Sequence, residues 1–237
     1  MPPAADTARL LVTETFGPTL QGEGPNLGEP ALFIRLSRCN LTCQWCDEPH
    51  TWDTSRFDLQ EHTRTHTVRE LSRWAQTHPT ELVVITGGEP LLHQQQLVGL
   101  VDALVAGGKR VEIETNGTIA PLPEIRGDGV RFNVSPKLAS SGVSRSRRYR
   151  PEALSALVEA DSICKFVVTT AHRDADLAEA DQLVTEHPFR QVWLMPEGIT
   201  EPVVRTGLRL LADHALVRGW SLTPRLHVTI WGNQHGH

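Results

Sequence analysis

The chain has 237 residues, a net charge of −5 at neutral pH, 39% hydrophobic residues and four cysteines. That length suits one large α/β domain or two small ones with a genuine core, and no broad basic face points to nucleic acid as a partner. No apolar run nears the roughly 18 residues of a membrane span, MPPAADTARL has no secretory h-region, and four cysteines are no disulfide framework; a cytoplasmic protein whose clustered thiols bind metal or do redox chemistry is expected.

In chain order, Leu10–Gly17 reads as a first strand, and Gln21-Gly22-Glu23-Gly24 as a turn before the next. This glycine-rich stretch lacks the Gly-Lys-Ser/Thr and following helix of a phosphate loop. Ala31–Ser37 is a second strand, followed at 38–54 by a loop holding Cys39, Cys43 and Cys46. Thr67 with Glu70 forms a capping box, after which Val68, Leu71, Trp74 and Ala75 share one helical face. Glu81–Thr86 is a short apolar strand ending in Gly87-Gly88-Glu89-Pro90, and the helix after it closes at Gly107 or Gly108. Arg110–Thr115 leads into Asn116-Gly117, a turn signal. Pro121 and Pro123 leave no room for a full helix before the strand Val130–Ser135, which runs into Pro136-Lys137. Arg145–Arg150 (RSRRYR) reads as a solvated, mobile loop. Helices over 151–160, about 173–186 and 200–218 alternate with strands Ile163–Thr170, Arg190–Met195 and Arg225–Ile230, the last containing His227.

Strand–helix–strand repeated in this way predicts a parallel sheet with right-handed crossovers. A closed eight-unit barrel takes about 250 residues, so an open, incomplete TIM-type barrel of about six parallel strands is expected, as one domain over 1–237. Chemistry in such folds gathers at the C-terminal ends of the strands, where the thiol loop, GGEP, TNGT and SPK all fall.

A structural zinc site needs four ligands, which Cys39, Cys43, Cys46 and His50 would supply; Cys164, far along the chain in a strand, reads as core. The other reading is a cubane iron–sulfur cluster. It normally takes four thiolates, so three leave one iron open to a substrate or cofactor.

Cys-x3-Cys-x2-Cys after an early strand resembles the radical S-adenosylmethionine superfamily. The resemblance implies a [4Fe–4S] cluster on Cys39, Cys43 and Cys46, with S-adenosylmethionine chelating the open iron and yielding a 5′-deoxyadenosyl radical on reduction. Thr86–Pro90 matches the superfamily's second motif. The implied cofactor contacts are Trp45 near the adenine, Gly87 and Gly88 where backbone approaches a ligand, and Glu89 accepting from the ammonium. Thr115 and Asn116 would meet the ribose or methionine portion, and Ser135 with Lys137 the carboxylate. Taken alone, each has a plainer reading as packing, turn or loop chemistry.

Gln21-Gly22-Glu23-Gly24, Gly28, Phe33-x-Arg35, Cys39-Asn40-Leu41, the CDxPxTW run after the cluster, SPK and the terminal PRLHVTIWG closely resemble the 7-carboxy-7-deazaguanine synthase family, from about Thr15 to Gly232. The resemblance implies a lyase that contracts the ring of 6-carboxy-5,6,7,8-tetrahydropterin with loss of ammonia, S-adenosylmethionine being regenerated, in queuosine or related 7-deazapurine biosynthesis. It implies that Gln21 and Glu23 read the pterin edge, that Arg35 clamps its carboxylate, and that Gly88 and His227 contact the substrate. Lone residues of these types are otherwise ordinary ion-paired or core groups. A flavodoxin or ferredoxin as electron donor, a homodimer and Mg²⁺ are implied too; no side chain is assigned a catalytic role, because the radical chemistry belongs to the cofactor. One position departs from the family. Its usual Cys-Asp-Thr, whose hydroxyl ligates Mg²⁺, is here Cys46-Asp47-Glu48, and a carboxylate at Glu48 suits Mg²⁺ or Mn²⁺ with the ion shifted or a water displaced. Competing readings are an activase that installs a glycyl radical on a partner protein, and a non-catalytic zinc or iron–sulfur binding module.

Overall fold

A computed structural model describes residues 8–236; residues 1–7, the start of the expected 1–30 N-terminal segment, lie outside the described residues. Strand β1 (Arg9–Leu20) pairs antiparallel with β2 (Pro30–Leu36) on one side. The single-turn helix α1 (Leu59–His62) leads to β3 (Arg64–Thr67), which pairs antiparallel on the other side of β1. Helix α2 (Val68–Gln76) opens with the expected capping box: Thr67 Oγ1 accepts from Glu70 N–H at 3.2 Å and Glu70 Oε2 from Thr67 N–H at 2.7 Å.

From β2 onward every pairing is parallel. The strands are β4 (Leu82–Gly87), β5 (Arg110–Thr115) and β6 (Val130–Val134), then β7 (Ile163–Val168), β8 (Gln191–Pro196) and the two-residue β9 (Ser221–Leu222). Between them lie α3 (Gln94–Ala106), α4 (Arg145–Arg148), α5 (Pro151–Glu159), α6 (Arg173–Glu186) and α7 (Glu201–Arg218), with α8 (Leu226–Trp231) at the end. Only a 3₁₀ turn at Pro123–Ile125 joins β5 to β6, as the two prolines imply. The sheet order β3-β1-β2-β4-β5-β6-β7-β8-β9 never closes, so the fold is a partial barrel with six full parallel strands.

Period-2 alternation gives each strand two different faces. Outward residues such as Ile34, Val83, Ile85, Ile113, Phe132 and Phe166 pack under the helices in the main core. Inward, the N-terminal end of the barrel is plugged by Ala31, Phe33, Leu82 and Val84 with Phe16 against them. Further along the same inward rows stand Arg35, Thr86, Glu114 and Lys165, lining a cavity. The barrel interior therefore changes from oil to charge along its axis.

Two expectations need correction. Arg225–Ile230 is not a strand: Leu226–Trp231 form α8, and β9 takes the seventh parallel position. The β-branched run favours a strand locally, but Leu226 N–H donates to Gly22 O at 2.9 Å, docking the segment on the N-terminal loop, and Val228 is its one buried residue. RSRRYR is solvated at Arg145, Ser146, Arg147 and Arg150, as expected, but it is not simply a loop. It makes the helical turn α4, in which Arg148 is buried and bonded to Glu179 Oε1 at 2.5 Å and to the Val143 and Lys137 carbonyls. Arg147 Nη2 meanwhile donates to Asn40 O at 2.7 Å, propping the thiol loop.

Candidate active site

The C-terminal ends of the parallel strands surround a cavity of about 220 Å³. Cys39, Cys43 and Cys46, all free thiols, form part of its wall. Sulfur-directed donors surround them: Leu41 N–H to Cys39 Sγ at 3.4 Å, Trp52 Nε1 to Cys46 Sγ at 3.3 Å, and Asn116 Nδ2 to Cys39 Sγ at 3.9 Å. Burial pushes the thiols up, Cys39 to about 12 and Cys46 to about 11, so a bound metal must displace their protons.

Besides the Arg147 prop, the loop is held by a network of neutral side chains. Asn116 Nδ2 donates to Asn40 Oδ1 at 2.9 Å, Asn40 Nδ2 to Thr118 Oγ1 at 2.8 Å, and Thr118 Oγ1 to Asn116 Oδ1 at 2.6 Å. Gln44 N–H reaches Ser141 O at 2.9 Å. Gly87 and Gly88 are close to backbone, but to the chain's own: a side chain at Gly87 would strike Leu36, and one at Gly88 would strike Arg38 O and Cys39 Cβ. These glycines let β4 lie against the thiol loop while still lining the cavity.

Glu89 differs from expectation. It is fully buried and absent from the cavity wall. Its carboxylate accepts from Thr115 Oγ1 at 2.8 Å, Asn116 N–H at 2.7 Å and Leu91 N–H at 2.9 Å. It braces the loop after β5 through these three donors. Trp45, Thr115, Asn116, Ser135 and Lys137 do line the cavity, with Lys137 Nζ 2.9 Å from Ser135 Oγ and 5.5 Å from the centre of the Trp45 ring.

The opposite wall is ionic. Glu23 pairs with Lys165 and, at 3.0 Å, with Arg225 Nε; Arg225 also pairs with Asp47, and Lys165 lies 3.8 Å from Glu114. Burial alone would raise the Glu23 carboxyl, but Lys165 and Arg225 outweigh it and hold it well below the usual carboxylate range. Burial would likewise lower Lys165, yet Glu23 and Glu114 keep it up at about 12. Gln21 is buried and donates from Nε2 to Glu112 Oε1 at 2.7 Å, while burial and then Glu114 push the Glu112 carboxyl up to about 7. Arg35 Nε is bonded to Glu14 at 2.6 Å and its Nη2 lies 3.1 Å from Glu48 Oε1. His227 faces the cavity from α8, in a seat that exists because Gly22 has no side chain to collide with the ring.

Among the described residues His50 gathers with Glu48 and His235, not with the thiols as the zinc reading required, and the His62 ring lies 5.6 Å from its own. Sequence reasoning passed over Asp47, Thr86, Glu114, Lys165 and Arg225. Two carried a signal: Lys165 is a lone charge in the apolar run ICKFVV, and Glu112 and Glu114 alternate with Val111 and Ile113. His235 carried none.

The radical SAM superfamily profile matches residues 33–160. A 7-carboxy-7-deazaguanine synthase of Pyrobaculum aerophilum is 36% identical over 233 residues, covering 97% of this chain and 98% of that protein. One of Halobacterium salinarum is 35% identical, covering 96% and 93%. The crystal structure of QueE from Escherichia coli superposes with a TM-score of 0.69 at 29% identity, covering 91% of this chain and 93% of that one. With a thiol triad at the mouth of an open parallel barrel and these likenesses spanning nearly its whole length, the chain belongs to the 7-carboxy-7-deazaguanine synthase family of the radical S-adenosylmethionine superfamily.

Proposed function

We propose that this single-domain enzyme converts 6-carboxy-5,6,7,8-tetrahydropterin to 7-carboxy-7-deazaguanine with loss of ammonia, in queuosine or related 7-deazapurine biosynthesis. The observation that carries the reading is the pairing of a thiol wall with an ionic wall across one cavity. A [4Fe–4S] cluster and S-adenosylmethionine, when bound, supply the radical chemistry. The donor set fits them: of the three soft thiols, Cys39 and Cys46 receive N–H groups, and His50, the nearby nitrogen ligand in sequence, gathers with Glu48 and His235 instead.

The chain's own residues bind, orient and shield. Cys39, Cys43 and Cys46 hold the cluster. Backbone at Gly87 and Gly88 meets the methionine ammonium. Trp45, Thr115, Asn116, Ser135 and Lys137 surround the rest of the cofactor. On the other wall Glu23 and His227 contact the pterin, and Gln21, turned toward Glu112, positions the Glu23 loop through its 3.3 Å acceptance of the Glu23 N–H. Arg35 holds the substrate carboxylate, and Glu48 beside it ligates Mg²⁺ in place of the family's threonine. A one-electron carrier of the flavodoxin or ferredoxin kind is the proposed reductant, and two copies of the chain the proposed assembly. No described helix is long and apolar enough to cross a membrane.

The test is anaerobic turnover with dithionite, S-adenosylmethionine and the pterin, with and without Mg²⁺. Deazaguanine product should appear without any partner protein. No product from enzyme loaded with about four irons would remove the reading.

A further inference from the structure

At the edge of the cavity, apart from the thiols, two neighbours on one loop, Glu48 and His50, meet His235 from far along the chain. Glu48 comes from the thiol loop, His50 from the 3₁₀ turn after it, and His235 from the segment following α8. Their donor atoms all lie within 4.8 Å of one another. Glu48 Oε2 is 3.3 Å from His50 Nδ1 and 3.9 Å from His235 Nδ1. It is sealed from solvent, yet it accepts a hydrogen bond from neither ring. A buried carboxylate oxygen without a donor is costly and calls for a partner such as an ordered water or an ion; two imidazole nitrogens within reach favour the ion. The other oxygen, Oε1, lies 3.1 Å from Arg35 Nη2, whose Nε bonds Glu14 at 2.6 Å, so Glu48 is anchored on that side while Oε2 has no hydrogen-bond partner.

We propose that Glu48, His50 and His235 form a divalent-metal site that takes an ion of the manganese-to-zinc series in preference to Mg²⁺, and that the ion pins the C-terminal segment across the cavity mouth. The inference rests on placing a divalent ion at Glu48 and goes further in giving it two nitrogen ligands. Mg²⁺ favours an all-oxygen, largely hydrated shell, whereas imidazole suits iron, nickel, copper and zinc, and the affinity of a mixed nitrogen and oxygen site rises along the transition series from manganese, its weakest member. Three protein ligands leave coordination positions for water or a substrate oxygen. Glu48 and His235 both line the cavity, as do Asn233, Gln234 and Gly236, so the ion reaches the space the substrate would fill. Asn233, Gln234 and His235 are otherwise exposed, and a metal bond at His235 would tether that stretch.

The experiment is Mn²⁺ titration of cluster-loaded, oxidised enzyme, without S-adenosylmethionine or pterin, followed by electron paramagnetic resonance. One Mn²⁺ should bind with ¹⁴N modulation from imidazole and resist displacement by tenfold excess Mg²⁺. His235→Ala, in the exposed segment, should fold normally, weaken binding by at least about tenfold and reduce the nitrogen modulation. His50→Ala should do the same where it folds, while the remote His172→Ala should match the parent. Binding unchanged in His235→Ala, absence of ¹⁴N modulation, or displacement by equimolar Mg²⁺ would overturn the proposal. Pterin turnover measured in parallel separates the two readings. Product formed by an enzyme that shows no nitrogen-bound Mn²⁺ sinks only the metal site. Nitrogen-bound Mn²⁺ with no product under any metal sinks only the ring-contraction reading.

Discussion

The two walls of the cavity are built by opposite means. On the thiol side, Asn40, Asn116, Thr118, Gln44 and Ser141 hold the loop through neutral hydrogen bonds, and glycines let β4 lie flush against it. On the other side Glu23, Lys165, Arg225, Asp47 and Glu114 interlock as buried charges. The neutral hydrogen bonds place donors around sulfur, and the nearby carboxylates, Glu89 behind Asn116 and Asp47 beside Cys46, favour the protonated thiols. A charged scaffold presents fixed positive and negative edges to a polar, carboxylated heterocycle, and its pairs are nearly neutral in sum. The cavity thus separates a place for redox chemistry from a place for recognition, and the walls should fail differently when perturbed.

The largest effect is expected on the thiol wall. Cys39→Ala should leave a folded, colourless protein by circular dichroism, with iron content and turnover lost. Retained turnover would erase the distinction between the walls. Next comes Glu23→Gln, which leaves Lys165 and Arg225 short of a partner in the interior; urea unfolding should show a loss of about 3 kcal/mol. The same variant sharpens the comparison through pH. Because the folded chain holds the Glu23 carboxyl below its ordinary 4.5, its stabilisation is complete above that pH and is lost as pH falls further. The variant should lack this acid-side contribution to the slope. Gly88→Ala forces a methyl group into the Arg38 carbonyl and should cost about 2 kcal/mol by urea unfolding, lowering iron occupancy. Smallest is Asn40→Ala, which leaves Asn116 and Thr118 each one partner short. About 1 kcal/mol is expected by urea unfolding, with no change in the pH profile, since no charge is touched. A pH-dependent loss there would mean that the neutral wall is not neutral in function.

Some of this architecture was readable residue by residue. Strands β2, β4 and β5 announce themselves by apolar runs that end at the functional loops, and the Thr67–Glu70 box marks α2. Local signals failed where a segment's surroundings outvoted its propensity. The VTI of the last segment asks for a strand and becomes α8, because its docking partner is the loop at Gly22 and its one inward residue is Val228. RSRRYR asks for solvent yet buries Arg148 against Glu179, which lies 31 residues further on. Glu89 sits in the expected motif but faces Thr115 and Asn116 across the next strand.

What the amino-acid order alone determined was whatever depends on near neighbours: three thiols within one loop's reach, the alternation that sends Glu112 and Glu114 to one face, the prolines that deny a helix before β6. What only the tertiary structure decided was pairing between remote groups, such as Glu23 with Lys165 and Arg225, 142 and 202 residues away, or His235 with Glu48. The physical reason is that short-range spacing acts through backbone geometry, which is the same in any fold. Which distant charges share a low-dielectric interior is set only when the parallel crossovers bring all the strand ends to one rim.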